Sequence, residues 1–145
     1  MRVDYRIEQA LTLLWLPPAA APLRRNELWR HTCCEAFIIP ATGTAYREFN
    51  FSPSGSWAVY DFTDYRQSMT SPLLDTSPRI ACRRDGDDLW LSAELPAALL
   101  PAGAARLGLC MIAETAAGDM SYWALTHAGA RPDFHLAASF TLALP

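Results

Sequence analysis

The sequence contains no lysine, and all 12 of its basic residues are arginines. Schiff-base enzymes and P-loop nucleotide-binding proteins depend on a lysine, so the sequence excludes both classes. No apolar run approaches the length of about 18 residues that a transmembrane helix needs. The formal net charge is −3 and no basic block is present. This argues against a nucleic-acid-binding protein, because such proteins must neutralise phosphates.

Catalytic and metal-binding motifs are missing too. The sequence has no GxSxG, HExxH, GxxxxGK[ST] or GxGxxG segment. None of its four cysteines belongs to a CxxC pair, and the lack of a CxxCH motif excludes covalent haem attachment. His31, Cys33 and Glu35 share one face of an extended segment, whereas Cys34 points away from them. We therefore expect no metal site, no catalytic residue and no enzymatic activity.

What the sequence does contain is typical of one folded domain. Its 145 residues are 51% hydrophobic and 19% charged, which favours a single domain over residues 1–145 with a sizeable core. Eleven prolines and seven glycines divide the chain into short segments. No internal repeat with a fixed period is present.

These short segments show the alternation of β-strands. In residues 88–95, Leu89, Leu91 and Leu95 lie on one face and Trp90 on the other. Helical periodicity is nearly absent. The nine segments that we predict as strands are residues 10–16, 33–39, 44–52, 56–62, 79–83, 88–95, 106–114, 122–126 and 138–144.

Turn residues separate the predicted strands. Ser52-Pro53-Ser54-Gly55 is typical of a tight hairpin turn, and Asp85-Gly86 marks a second one. Residues 96–100 fit one helical turn that begins at a proline. Many short strands with regular turns predict an all-β fold, an antiparallel β-sandwich with little helix. Phe49 and Phe51 should face the core between its two sheets.

The cysteines bear on the cellular compartment. Cys33 and Cys34 are adjacent, so one strand cannot direct both thiols at the same partner, and we expect them to be reduced. Asp4 and Glu8 stand where a signal peptide would have a basic region. We therefore expect the protein in the cytoplasm.

Aromatic and polar residues indicate where a ligand would bind. Trp29 lies in a polar segment, residues 24–31, and a ring beside hydrogen-bonding side chains is typical of a site for a flat, hydroxylated ligand. The predicted strand 44–52 directs Glu48, Asn50 and Ser52 to one face. Carboxylate pairs catalyse glycoside hydrolysis in some enzymes. For Glu48 and its predicted neighbour Glu35, however, we favour a binding or structural role.

Three blocks of the sequence resemble a known family. Residues 28–38 (LWRHTCCEAFI) look like the "W…(V/C)E-x-F-(I/L)" strand of family 9 carbohydrate-binding modules and their DOMON-like relatives. Residues 46–55 (YREFNFSPSG) resemble the next strand and its hairpin. Trp123 and residues 132–135 (PDFH), followed by Phe140, resemble the C-terminal loop and strand.

The resemblance extends over roughly residues 10–145 and is most specific for the first two blocks together. It is strongest to short, stand-alone bacterial DOMON-like proteins of the murB-neighbourhood subgroup. It implies an immunoglobulin-like β-sandwich that binds a sugar or a haem, with two aromatic rings enclosing the sugar. With the residue patterns above, it gives six candidate ligand-binding residues: Trp29, Glu35, Asn50, Ser52, Phe134 and His135.

Three functions from different classes remain open at this point. The first, which we favour, is a non-enzymatic module whose partner is a sugar-like small molecule, without a cofactor, nucleic acid or membrane. The second is a haem-b domain, with His135 or His127 and Met69 or Met111 as the axial ligands. The third is a structural sandwich that binds a protein partner and no small ligand.

Overall fold

The computed structural model describes residues 1–145 and contains nine β-strands and four very short helical segments. The strands are β1 (Arg2–Ile7), β2 (Cys33–Pro40), β3 (Tyr46–Phe51), β4 (Trp57–Phe62), β5 (Arg79–Asp85), β6 (Asp88–Glu94), β7 (Ala104–Glu114), β8 (Met120–Ala124) and β9 (Leu142–Ala143). The helical segments are α1 (Ala10–Leu13) and the 3-10 turns Leu28–Arg30, Ala97–Leu99 and Ala137–Ser139. None of the helical segments has the length and apolar character needed to cross a membrane.

The strands form two antiparallel sheets that pack as a sandwich. The smaller sheet has the order β1-β6-β5. The larger sheet has the order β4-β3-β2-β7-β8, and β9 adds a short pairing with β7. The predicted all-β sandwich with little helix is thus confirmed.

Alternation along the strands determines which side chains fill the space between the sheets. Phe49 and Phe51 of β3 lie there as predicted, fully buried against Leu91 of β6. Cys34 of β2 belongs to the same core, whereas Cys33 faces the opposite side of the sheet and approaches Asn50. The prediction that the two adjacent cysteines point to opposite faces is confirmed, and all four cysteines are free thiols.

The predicted turns are present. Gly55 has a φ of 94°, a conformation that glycine adopts without steric cost. Its N–H donates to the carbonyl of Ser52 at 2.9 Å and closes the β3–β4 hairpin. Gly86, with a φ of 58°, joins β5 to β6. Pro96 precedes the 3-10 turn Ala97–Leu99.

Two strand predictions were wrong or incomplete, and one strand was missed. Residues 10–16 begin with the helical turn α1 instead of a strand, because Gln9 has a φ of 53° and the N–H of Leu14 bonds back to the carbonyl of Ala10. The first strand is β1, which is not among the nine predicted segments. Residues 138–144 hold a 3-10 turn and only the two-residue strand β9, since Phe140 must cross over β7.

Candidate functional site

The face of the six-stranded sheet that points away from the sandwich core is buried as well, but it carries polar side chains. Loops cross this outer face, so Glu35 is only 2% exposed, Glu48 4% and Asn50 0%. We call these three residues the acidic cluster. In the β2–β3 pairing Glu35 lies opposite Asn50 and Phe37 opposite Glu48, which places both carboxyl groups on one face of adjacent strands.

The donors around the acidic cluster are few and mostly weak. The amide of Asn50 donates to Glu48 Oε1 at 2.5 Å. The thiol of Cys110, opposite Glu35 on β7, donates to Glu35 Oε2 at 3.5 Å. The thiol of Cys33 donates to the Asn50 side-chain oxygen at 3.5 Å. Thiols are poor donors, so Glu35 has acceptor capacity that the protein leaves nearly unused.

Burial favours the protonated form of both carboxyl groups. Burial raises the pKa of Glu35 well above its usual range, and the neighbouring Glu48 raises it further. Burial also raises the pKa of Glu48 to about 7, although the hydrogen bond from Asn50 and the charge of Arg66 act in the opposite direction. At neutral pH the pair therefore offers hydrogen-bond donors as well as acceptors.

One side of the outer face is covered by the 3-10 turn Leu28–Arg30. Its start is set by Glu27, which has a φ of 61° and whose N–H donates to the hydroxyl of Tyr60 on β4 at 3.2 Å. The same hydroxyl donates to Asn26. Trp29 packs edge-on against Tyr60, with ring centroids 5.4 Å apart, and remains partly exposed.

The other side is covered by the loop that follows β8. Phe134 is buried and lies 6.1 Å from the rings of Tyr122 and His127. Phe140 stacks on Phe37 of β2 at 5.7 Å. It also sits directly over Gly108 of β7. The outer face is thus enclosed by aromatic rings from two separate segments.

His135 connects this loop to the acidic cluster. Its Nδ1 is 2.7 Å from the hydroxyl of Tyr46, and its Nε2 is 3.8 Å from Glu48 Oε2. Burial and the charge of Arg66 lower the pKa of His135 to about 4, so the ring is neutral at pH 7. A neutral ring at this distance leaves Glu48 without a cationic partner.

Asp133 fastens the loop to the segment after β4. Its carboxylate accepts hydrogen bonds from the hydroxyl of Tyr65 at 2.5 Å and from the guanidinium of Arg66 at 2.9 Å. The backbone N–H of Arg66 donates to Tyr46. Burial works against ionisation of Asp133, yet these hydrogen bonds hold its pKa below the usual value. An ion pair and a chain of hydrogen bonds therefore hold this loop on the outer face.

The structure brings most of the predicted site residues to the outer face. Glu35, Asn50 and His135 lie in or beside the acidic cluster. Trp29 packs toward β4 and Phe134 toward β8, and their rings do not contact each other. Ser52 lies in the β3–β4 hairpin, where its hydroxyl accepts hydrogen bonds from the N–H and the hydroxyl of Ser54.

Several residues of the site were not among the predicted ones. Glu48 belongs at its centre, and the alternation of β3 already placed it beside Asn50. Tyr60 and Cys110 border the cluster because of the pairings β3–β4 and β2–β7, which no local pattern reveals. Tyr46 contributes through its contact with His135.

The residues considered as haem ligands have different surroundings in the structure. Met111 packs against the core between the sheets, on the opposite side of the larger sheet from His135. Met69 is 53% exposed, away from the core. His127 lies against Phe134 in the loop after β8. Met111 and His135, on opposite sides of the larger sheet, therefore cannot hold one iron between them.

Comparisons with known proteins identify the fold. No protein-family model matches the sequence, and no curated protein matches it. Among solved structures, the chain is similar to a "putative carbohydrate-binding protein" from Bacteroides uniformis ATCC 8492, with a TM-score of 0.64 and 14% sequence identity. The match covers 96% of this chain and 69% of that one. At this level of identity the likeness establishes the shared sandwich architecture.

Proposed function

We propose that the protein is a non-enzymatic binding module for a carbohydrate-like small molecule, and that it is a DOMON-like relative of family 9 carbohydrate-binding modules. The sandwich shared with the Bacteroides protein supports a binding module. The resemblance of residues 28–38 and 46–55 to the family supports the carbohydrate class.

One observation carries the proposal. Two buried carboxyl groups, Glu35 and Glu48, lie side by side with no cation in contact. Burying polar groups without strong partners costs free energy. Sugar hydroxyls both donate and accept, so they match a protonated Glu35 beside a Glu48 that titrates near neutrality. The surrounding rings suit the C–H faces of a sugar.

Each residue of the proposed site has a distinct role. Trp29, the partly exposed ring, stacks on the sugar, and Glu35 and Asn50 bind its hydroxyls. Phe134 and His135 line the side toward β8. Ser52 lies at the hairpin end of the site.

A ligand can enter only if one of the two segments that cover the outer face moves. With Glu35 only 2% exposed, a sugar reaches the acidic cluster when the 3-10 turn that carries Trp29, or the loop that carries Phe134, swings outward. Ligand binding should therefore change amide hydrogen exchange in these two segments.

Calorimetric titration with a panel of neutral mono- and disaccharides tests the proposal. For a sugar that binds, Trp29→Ala should cost about 1–3 kcal/mol of affinity, the scale of a lost aromatic anchor. The control is Trp90→Ala, because Trp90 lies on β6 of the smaller sheet, where its ring packs against the guanidinium groups of Arg6 and Arg83. Glu35→Gln tests the hydroxyl contact, and the recovered sugar should be chemically unchanged. The absence of binding across the panel, or equal losses in both tryptophan variants, contradicts the proposal.

We also propose that the protein is located in the cytoplasm. Three free thiols, Cys33, Cys34 and Cys110, are buried in the native fold, which suits a reducing compartment. Cell fractionation followed by immunoblotting checks it, and recovery of the protein in the exported fraction contradicts it.

A further inference from the structure

A second concave region lies between the two sheets and extends along β7 as far as Cys110, which borders the acidic cluster. The three-stranded sheet is narrower than the six-stranded sheet, so β8 and part of β7 project beyond β1. This leaves an open cleft of about 790 Å³, a volume within the range of ligand-binding pockets. Its apolar walls include Leu13, Leu14, Leu109, Met111, Trp123 and Leu125.

The cleft is bordered by the unpaired edge of β1. β1 is the outermost strand of its sheet. Five consecutive residues, Asp4 to Glu8, line the cleft. Neighbouring residues of a strand point to opposite faces, so such a run lines a cavity only along the edge of the strand.

The backbone of β1 has free hydrogen-bonding groups along this edge. Met1 and Leu95 exchange both of their backbone hydrogen bonds, and the register then pairs Val3, Tyr5 and Ile7 with β6 in the same way. The backbone N–H and C=O groups of the residues between them, including Asp4 and Arg6, point away from β6 toward the open edge of the sheet.

Large apolar side chains lie exposed beneath this edge. Trp123 is 64% exposed and Leu125 60%, and the indole N–H of Trp123 already donates to Ser121. Exposed rings and leucines beside an unpaired strand edge are what a strand from another chain would cover.

The charges along β1 specify the chemistry of such a strand. Charges of alternating sign lie on the solvent face of β1 and just after it, at Arg2, Asp4, Arg6 and Glu8. Arg2 pairs with Asp4, and Arg6 pairs with Glu8 and Asp88, at the protein surface. We propose that the cleft binds an extended peptide segment of a partner protein, which pairs antiparallel with β1. Its alternate residues are apolar and enter the cleft, and its other residues carry charges of alternating sign.

Charge complementarity selects one register. A segment with the sequence of β1 itself, residues 2–8 (RVDYRIE), pairs Arg with Glu8, Asp with Arg6, Arg with Asp4 and Glu with Arg2. A shift of two residues in either direction brings like charges opposite each other, which is destabilising. An intact second copy does not fit in this way, because its own projecting β7 and β8 would occupy the same space. The occupant is therefore an extended segment.

A blocked peptide with the sequence of residues 2–8 is the probe. We expect it to bind the full-length protein in calorimetric titration and to slow hydrogen exchange at the amides of Asp4 and Arg6. The amides of Tyr5 and Ile7, already bonded to β6, should not change. The control peptide is N-methylated at its third and fifth residues, which removes the N–H groups that face β1. It should bind at least about tenfold more weakly, because two hydrogen bonds are lost.

A charge swap tests the register. Arg6→Glu should weaken binding of the peptide roughly twofold to fivefold, the scale of a cross-strand charge pair. A peptide with arginine in place of its aspartate should restore binding to that variant. Asp4→Arg, with glutamate as the fifth residue of the peptide, repeats the test if the first variant does not fold. Absence of binding, equal binding of the N-methylated peptide, or failure of both rescues overturns the proposal. Equal binding of the N-methylated peptide would identify a cleft for apolar ligands in general.

Discussion

The two faces of β2 and β3 in the six-stranded sheet are both buried but differ in chemistry. On the inner face, Phe49 and Phe51 meet the smaller sheet through apolar contacts alone. On the outer face, Glu35 and Glu48 are buried among rings, with thiols and one amide as donors. Burial therefore does not separate a core from a site. A core differs from a site in whether its buried polar groups have hydrogen-bond partners within the protein.

The inner face should depend on packing volume. Phe49→Ala removes a fully buried ring that stacks 6.3 Å from Phe51. We expect a loss of about 3–5 kcal/mol in the free energy of unfolding, the usual cost of such a cavity. Urea unfolding at pH 7 measures it. A loss below about 1 kcal/mol would mean that the inner face does not hold the sandwich together.

The outer face should depend on pH, and Glu48 is the group to test. Burial raises its native pKa to about 7, against about 4.3 in the unfolded chain. Between these values the native state holds a proton that the unfolded state has lost. The stabilisation from Glu48 is therefore complete below about pH 4 and is lost as the pH rises through 7.

The variant Glu48→Gln keeps this position neutral at every pH. At pH 8 it should be more stable than the wild type by roughly 1–3 kcal/mol, whereas at pH 4 the two proteins should be nearly equal. His135, whose pKa lies near 4, is present in both proteins and cancels from the comparison. Because Glu48 also raises the pKa of Glu35, the difference between the two proteins reports the titration of the carboxyl pair. Urea unfolding at both pH values measures the effect. A variant that is less stable at pH 8 would show that the ionised carboxylate is well solvated.

The cover of the outer face should be closely packed at Phe140. A Cβ added at Gly108 would lie 2.6 Å from Phe140 Cδ1, so Gly108→Ala must displace the ring. We expect a loss of about 1–3 kcal/mol, the cost of overpacking, and faster hydrogen exchange in the loop after β8. Gly43→Ala is a poor control, since Gly43 has a φ of 87°. Ala113→Gly on the inner face of β7 compares the two faces better. Unchanged stability in Gly108→Ala would mean that the cover moves freely.

The smallest expected effect separates the hairpin from the site. Ser52→Ala removes a hydroxyl that accepts two hydrogen bonds from Ser54. We expect a loss of about 1 kcal/mol in the free energy of unfolding. Thermal unfolding of the variant beside the wild type measures it. Unchanged stability together with weaker sugar binding would show that the hydroxyl faces the ligand and has no role in the turn.

Much of the fold could be predicted because strands and hairpin turns have local signals. Alternation identified β6, and the Ser52–Gly55 turn identified the β3–β4 hairpin. The helical turn α1 has only four residues, too few for a periodic pattern. The site was harder to predict. Alternation along β2 and β3 explains why Glu35 and Asn50 share one face. The contacts of Cys110 and Phe140 depend on pairings and loop crossings between residues far apart in the sequence.

The tryptophan indole signals in a two-dimensional nitrogen–proton NMR spectrum test the central claim most directly. Four of the five tryptophans lie in distinct regions: Trp29 on the outer face, Trp57 in the core, Trp90 on the solvent face and Trp123 in the cleft. During titration with a binding saccharide, the signal of Trp29 should shift to saturation while those of Trp90 and Trp123 stay in place. A shift of Trp123 with no change at Trp29 would contradict a carbohydrate site at the acidic cluster.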